Sequence, residues 1–232
     1  MKIILLWLLL LPKLLFAQSV DTYIPERAFN YLVDVIVVQE TIWPDIPKQE
    51  YIPALIEHES CISLKHSKCW NPKSRLKTPR EEGAGLPQIT RAYRPDGSLR
   101  FDSLSDMRRK YPQYLSELSW NNVYDRPDLQ IIFLLLNSRD NYNYYKKNDV
   151  KPLEALKFAD ASYNGGIRDL NRERVVCKMT KGCDPNQWFG HVEKYCVKSK
   201  LALYGNRSVC DINRHHVKDV FRRSNKYRPI FN

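Results

Sequence analysis

Glu59 has the residue type and the position to act as an acid catalyst. It lies in the stretch IPALIEHESC (52–61), where Ile52, Leu55, Ile56 and Glu59 share one face of a predicted helix. A buried carboxylate without a partner is destabilising or takes up a proton instead. A protonated Glu in a partly apolar cleft is the general acid that glycoside cleavage needs. The competing interpretation is a structural Glu paired with an Arg, and helical position alone favours it.

Three later segments strengthen the catalytic interpretation. Glu59-Ser60 is followed by WNPKS (70–74), GAGLPQIT (83–90) and ASYNGG (161–166). This succession resembles the soluble lytic transglycosylase family, with its Glu-Ser helix end, Asn-Pro stretch, Gly-Leu-Met-Gln turn and Ala-Tyr-Asn-Gly-Gly helix end. Each segment alone is a weak signal, but four in order form a strong one. The resemblance spans about residues 48–200 and implies a mostly α, lysozyme-like fold, related to goose-type lysozymes.

The resemblance also implies a role for each matching residue. Glu59 corresponds to the catalytic acid and base, and the substrate-binding positions correspond to Ser60, Gln88, Tyr163 and Asn164. A phenol can hydrogen-bond a carboxyl group or stack on a sugar, and an Asn amide can orient an acetamido group. The alternatives for Tyr163 and Asn164 are a core aromatic and a helix-ending residue. No metal or other cofactor is expected.

The chain departs from the family pattern at several positions. Pro87 replaces the usual Met of the turn and lacks an N–H group. Ser162 precedes Tyr163 where a small apolar residue is common. The late Tyr-Val motif of the family is not evident, and its candidate equivalent is HVEKYC (191–196), with His191 or Tyr195 in that role.

The family reaction needs only one carboxylate. Glu59 would protonate the oxygen that bridges two amino sugars, and the substrate's own N-acetyl carbonyl would stabilise the developing cation. Ionised Glu59 would then take the proton of the muramic 6-hydroxyl, which closes a 1,6-anhydro ring without water. The expected substrate is therefore the peptidoglycan glycan strand, and intramolecular attack gains from proximity.

Two other functions remain open. A lysozyme-like or chitinase-like hydrolase usually has a second carboxylate, and its candidates here are Glu81, Glu82, Asp96 and Asp102. Glu57 is the weaker acid candidate because it falls on the side of the helix away from Ile52 and is predicted to face solvent. The third hypothesis is a non-catalytic wall-binding module, against which the intact site residues argue.

Helical patterns dominate the chain. They predict helices over 25–40, 127–145, 151–166 and 186–203, with the apolar run Ile131–Leu136 in a buried central helix. Residues 66–125 carry prolines and mixed charge and are predicted to be irregular. The prediction is a single domain over 18–232 with a loop-rich insertion and a basic C-terminal tail (214–232), in which His215 and His216 are expected to be exposed.

Cysteine usage and the N-terminus both indicate export. Six cysteines allow 15 pairings, of which the simplest are the short local ones, Cys61–Cys69, Cys177–Cys183 and Cys196–Cys210. Residues 1–17 have the pattern of a signal peptide cleaved after Ala17, with an uncleaved tether as the alternative. Zinc-site spacings and nucleic-acid-binding motifs are lacking.

Net charge is consistent with an anionic partner. It is +11 for the full chain and +9 without residues 1–17, because Lys2 and Lys13 are then lost. Such a chain could contact an anionic cell-wall polymer or membrane, and the basic tail is the candidate contact. Export argues against a nucleic-acid partner.

Overall fold

A computed structural model describes residues 20–231. The described chain is mostly helical. Its α-helices are α1 (Phe29–Ile42), α2 (Tyr51–Ser60), α3 (Ser103–Lys110), α4 (Pro112–Leu115), α5 (Pro127–Lys146), α6 (Pro152–Gly165), α7 (Ile167–Lys178) and α8 (Val209–Ser224). Four 3₁₀ segments add to these, at Glu26–Ala28, Val123–Asp125, Val192–Lys194 and Asn225–Ile230. The mostly α prediction is confirmed.

Three of the four predicted helices are present. The 25–40 pattern corresponds to α1, whose inner face carries buried Leu32 and Val35. The 127–145 and 151–166 patterns correspond to α5 and α6, each with a proline in its first turn. Gly166, at φ 81°, ends α6 as expected. In α5, five of the six residues of the run Ile131–Leu136 are buried, and this helix packs against α1 and α6.

The irregular insertion was predicted wrongly, because much of residues 75–102 forms an antiparallel sheet. Its strands are β1 (Arg75–Lys77), β2 (Glu81–Ala84), β3 (Ile89–Tyr93) and β4 (Leu99–Asp102), in the order β1-β2-β3-β4. Ala84 pairs with Ile89, so residues 85–88 form the turn between β2 and β3. β1 is fully exposed and β4 nearly so, which removed the apolar alternation that would have predicted strands.

The chain after α6 also differs from the prediction. The expected 186–203 helix is wrong: this segment holds only the 3₁₀ turn Val192–Lys194 and the start of β5 (Ala202–Tyr204), which pairs with β6 (Arg207–Ser208). The basic tail is not a solvated end, because most of it belongs to α8. Ser208 and Asp211 form a capping box at the start of α8, and α8 packs against α2 and α6.

The three short disulfides are confirmed: Cys61–Cys69, Cys177–Cys183 and Cys196–Cys210. They indicate an oxidising, extracytoplasmic compartment. Within residues 20–231, every helix is too short or too polar to cross a membrane. The predicted signal peptide lies outside the described residues.

Candidate active site

A cleft of about 710 Å³ lies between the β-sheet and the ends of α2 and α6. Four of the five predicted site residues line it: Glu59, Gln88, Tyr163 and Asn164. They arrive from the C-terminal end of α2, the β2–β3 turn and the C-terminal end of α6. The volume is within the range of ~300–1,000 Å³ that is usual for ligand pockets.

The Glu59 carboxylate begins a chain of buried hydrogen bonds. Glu59 Oε1 lies 2.8 Å from His216 Nε2, and His216 Nδ1 lies 2.9 Å from Asp160 Oδ2. The Tyr51 hydroxyl donates to the other Asp160 oxygen at 2.9 Å. The side chains of His216 and Asp160 are buried, whereas that of Glu59 is 15% exposed at the cleft. We call this set, Glu59, His216, Asp160 and Tyr51, the Glu59 chain.

His216 is charged in this setting. Burial alone would lower its pKa, but Asp160 and Glu59 outweigh burial and raise the pKa of His216 to about 10. His216 is buried, so the prediction that it is exposed is wrong. Its neighbour His215 is exposed, as predicted. Sequence reasoning missed His216 and Asp160.

Glu57 does not face solvent, contrary to the prediction. Its side chain is fully buried and accepts hydrogen bonds from Arg223 and Lys226 at 2.7 Å and from the Tyr227 hydroxyl at 2.6 Å. The expectation failed because every residue of α2 from Tyr51 to Glu57 is buried, so this part of the helix has no solvent side. We call Glu57, Arg223, Lys226 and Tyr227 the Glu57 cluster. It is structural, because two cations hold the carboxylate away from the cleft.

The β2–β3 turn presents Gln88 to the cleft. Gln88 has a left-handed backbone, φ 49°, which is uncommon for a residue other than Gly, and its Nε2 donates to the Gly85 carbonyl at 2.8 Å. Gly83 leaves room for it, since a Cβ there would lie 2.7 Å from Gln88 Oε1. The Tyr163 hydroxyl donates to the Pro87 carbonyl at 2.5 Å. Pro87 contributes its carbonyl oxygen to this hydrogen bond, which does not require the N–H group that proline lacks.

Gln130 of α5 ties the same turn to the core. Its buried side chain accepts from Leu86 N at 2.8 Å and donates to the Pro72 carbonyl at 3.0 Å. A Cβ on Gly85 would lie 2.3 Å from Gln130. The two motifs that contain Pro72 and Leu86 are therefore held together through one side chain.

The end of α6 positions Tyr163 and Asn164. Buried Asn213 of α8 donates to the Asn164 side-chain oxygen at 3.1 Å and to the Ala161 carbonyl at 2.9 Å. Gly165 permits this approach, because a Cβ there would lie 2.6 Å from the Asn213 amide. Burial, with Glu59 and Asp160 nearby, raises the pKa of Tyr163 well above its usual value, so its hydroxyl stays a donor.

Ser60 is the predicted site residue that the cleft does not include. Its buried hydroxyl donates to the Ile56 carbonyl at 2.7 Å and accepts from Trp70 N at 3.0 Å. Ser60 therefore fixes the segment after α2 and does not present its side chain to a ligand. His191 and Tyr195 are also absent from the cleft lining.

Among the candidate second carboxylates, only Glu81 lines the cleft, and its carboxylate makes no hydrogen bond or ion pair within residues 20–231. Glu82 is buried between Arg75 and Arg91, and these pairs hold its pKa below the usual value despite burial. Asp102 caps α3, and Asp96 lies in the exposed β3–β4 turn. Asp169 of α7 also lines the cleft, and sequence reasoning missed it.

A second group of titratable side chains lies beside the Glu59 chain. His58, His215 and Asp219 place one ligand atom each within 4.8 Å of one another. Both Asp219 oxygens, however, are already bound by guanidinium groups of Arg222 and Arg223, and one of them also by His58. A metal ion would have to displace two cations, so this group does not fit one.

Ser162, the departure in the third motif, lies on the wall of the cleft, and its hydroxyl is engaged toward the core. Its hydroxyl lies 2.8 Å from the buried Tyr145 hydroxyl. The Ser162 hydroxyl thus gives the buried Tyr145 hydroxyl a hydrogen-bond partner.

Comparison of the chain with protein-family models gives no match, and comparison with curated proteins gives none either.

Proposed function

We propose that the protein is an exported peptidoglycan lytic transglycosylase, which cleaves the β-1,4 bond between N-acetylmuramic acid and N-acetylglucosamine and forms 1,6-anhydro-N-acetylmuramic acid. The observation that carries this proposal is the convergence of Glu59, Gln88, Tyr163 and Asn164 on one cleft. These residues come from three segments that are far apart in the sequence and belong to different secondary-structure elements. Their order and types are those of the family that the sequence resembles.

Each residue has a task in the proposed reaction. Glu59 protonates the bridging oxygen and then takes the proton of the muramic 6-hydroxyl. Its carboxylate is partly exposed at the cleft, and Oε1 is held by His216. Gln88 and Asn164 offer amide groups to the N-acetyl groups of the sugars. Tyr163 holds the β2–β3 turn against α6 through the Pro87 carbonyl, which keeps the two walls of the cleft together.

The second candidate function is hydrolysis of the same bond, and Glu81 is the observation that favours it. Glu81 shares the cleft with Glu59, and its carboxylate has no hydrogen bond or ion pair within residues 20–231. A free carboxylate there could position a water molecule. The non-catalytic wall-binding hypothesis loses support, since a binding module has no need of a carboxylate held by a buried imidazole.

Mass spectrometry of the products from purified murein sacculi separates these functions. A transglycosylase releases muropeptides that end in the anhydro sugar and are lighter by one water than lysozyme products. In ¹⁸O-labelled water their new sugar ends stay unlabelled. Label at a reducing muramic end, lost in Glu81→Gln, would establish the hydrolase, and an undigested sacculus would leave only wall binding.

The proposed location is the periplasm or cell envelope. Three disulfides and the predicted signal peptide at residues 1–17 support it. The proposed partner is the peptidoglycan glycan strand. The net positive charge of the chain would attract this anionic polymer. Contact with an anionic envelope or membrane surface through the C-terminal segment stays a prediction. Arg223 and Lys226 are engaged by Glu57, whereas the side chains of Arg222 and Arg228 are 44% and 63% exposed.

A further inference from the structure

The two oxygens of the Glu59 carboxylate have different surroundings. Oε1 lies 2.8 Å from His216 Nε2, whereas Oε2 has no hydrogen-bond partner in the part of the chain that the structure describes. Since Glu59 lines the cleft, the oxygen without a partner is the one available to a substrate. The His216 imidazole therefore holds the Glu59 carboxylate through Oε1 and leaves Oε2 without a protein partner.

His216 is surrounded by carboxylates and by neutral groups. From α2 it faces Glu59 and His58, whose ring centroid is 4.4 Å away. From α6 it faces Asp160. On its own helix, exposed His215 is adjacent and Asp219 contacts His58. Burial, together with His216, lowers the pKa of His58, so the extra proton belongs to His216.

Two tyrosines also lie in the surroundings of His216. Tyr163 is near both of its carboxyl partners, and Tyr51 holds Asp160 in place. Tyr163 interacts electrostatically with both Glu59 and Asp160, and burial raises its pKa, so it stays neutral. The Tyr51 hydroxyl donates to Asp160 and leaves the other Asp160 oxygen for the imidazole. The net result is one imidazole ring held between the carboxyl groups of Asp160 and Glu59.

We propose that His216, kept as an imidazolium by Asp160, is the counter-ion of Glu59 in the interval between its acid step and its base step. This assignment rests on the proposed function. His216 and Asp160 are positioning residues, because they act on the substrate only through Glu59.

The proton balance is simple. In the first step the Oε2–H bond of Glu59 breaks, its proton goes to the departing sugar oxygen, and the glycosidic bond breaks. The negative charge that this leaves on Glu59 lies against the Nε2–H group of His216. In the second step Oε2 takes the proton of the 6-hydroxyl as that oxygen bonds to the anomeric carbon. Glu59 is again a carboxylic acid, and His216 has kept its two protons throughout.

The structure of the cleft gives the reason for such a counter-ion. A bound glycan displaces water from Glu59, and a carboxylate that forms in a dry site needs a fixed positive group. A neutral side chain in place of His216 would supply a hydrogen bond without the charge. Hydrogen bonds to charged groups differ enough from neutral ones to reduce turnover ~10–100-fold.

The test compares His216→Gln, Asp160→Asn and their double variant with His215→Gln, a control at the adjacent exposed histidine. Removal of a positive neighbour favours the protonated form of a carboxyl group, so the alkaline limb of the activity profile should move up by about 1–3 pH units. Asp160→Asn should move it in the same direction, and the double variant should add no further shift. His215→Gln should leave rate and profile unchanged.

A loss of rate with an unmoved alkaline limb would mean that His216 is merely structural. A second measurement needs neither activity nor a stable variant: ¹⁵N NMR of the imidazoles in the wild-type protein at pH 8. We expect protons on both ring nitrogens of His216, and neutral rings at His58 and His215. A neutral His216 would overturn the proposal. A charged His216 in a protein that cleaves no glycan would instead refute the proposed function and leave the charged triad in place.

Discussion

Glu57 and Glu59 lie two residues apart on α2, and α8 or the turn after it supplies partners to both, yet their surroundings are opposite. The Glu57 cluster contains two cations and a phenol around a fully buried carboxylate. The Glu59 chain contains one imidazole, and the cleft remains open on the other side. Both oxygens of the Glu57 carboxylate are occupied by partners, whereas the Glu59 carboxylate is partly exposed at the cleft.

The comparison teaches that burial alone does not identify a catalytic carboxylate. Glu57 is more buried than Glu59, and by burial alone it would be the better candidate for a catalytic acid. Its two oxygens are already bound by Arg223, Lys226 and Tyr227, which leaves neither of them for a ligand. A single shared partner and access to a ligand distinguish Glu59.

The largest expected effect is the loss of catalysis in Glu59→Gln. Gln keeps the shape and can still accept a hydrogen bond from His216, but it has no proton to transfer. General acid–base catalysis contributes ~10²–10⁴-fold, so release of muropeptides from murein sacculi should fall at least that far. The melting temperature should change little. A variant with near-normal activity would refute the assignment of Glu59.

Glu57→Gln should do the reverse and destabilise the fold. Removing one partner of a buried ion pair costs about 3–5 kcal/mol, because Lys226 and Arg223 lose their counter-charge. For a chain of this length the melting temperature should drop by roughly 10 °C, as calorimetry would measure. At a temperature where the variant is still folded, its activity per folded molecule should be close to normal.

A matched double variant sharpens this second test. Glu57→Leu with Lys226→Met removes the carboxylate and one of its two cations, and Arg223 keeps Asp219 as a partner. This variant should be more stable than Glu57→Gln alone. Equal stability of the two would mean that the cluster contributes through packing and not through charge.

The Glu59 chain should also make stability depend on pH. The pKa of His216 is raised from 6.5 to about 10 in the folded state, so the folded protein binds a proton that the unfolded chain has lost. Stability should therefore fall as pH rises from about 7 to 9, by at most ~1.4 kcal/mol per unit. Urea unfolding at several pH values measures this slope. His216→Gln should flatten it, and a slope that persists in the variant would assign it to another group.

The smallest expected effect concerns the disulfide that follows Glu59. Replacing Cys61 and Cys69 with Ser should lower the free energy of unfolding by about 2–3 kcal/mol. Activity should also fall several-fold, because this disulfide closes the loop next to Ser60, which anchors Trp70. The control is the equivalent change at Cys177 and Cys183, away from the cleft, which should cost stability alone. Equal losses of activity in the two variants would contradict this difference.

Part of the site could be predicted because its signals are local. Glu59 was marked by its place on an apolar helical stripe, and Gln88, Tyr163 and Asn164 by short motifs. Asp160 carries a signal of the same kind, since it lies between Leu156 and Tyr163 at helical spacing on α6. That signal was available and went unused.

The rest could not be predicted because it depends on distant pairing. His216 lies 157 residues from Glu59, and Arg223 lies 166 residues from Glu57. No local sequence pattern predicts that Glu59 contacts His216 and that Glu57 contacts Arg223. The sheet was missed for a different reason: its outer strands are exposed on both faces, so their residues carry no apolar period.

The dependence of α2 on the last helix has a consequence for biosynthesis. Both glutamates of α2 find partners at or beyond His216, near the end of the chain. A polypeptide interrupted before Val209 would contain all four of the motifs quoted above, but Glu57 and Glu59 would lack the partners that α8 and the turn after it supply. Pairings over such a sequence distance form slowly. The residues that line the cleft all precede α8, but Glu57 and Glu59 gain these partners only after α8 has been synthesised.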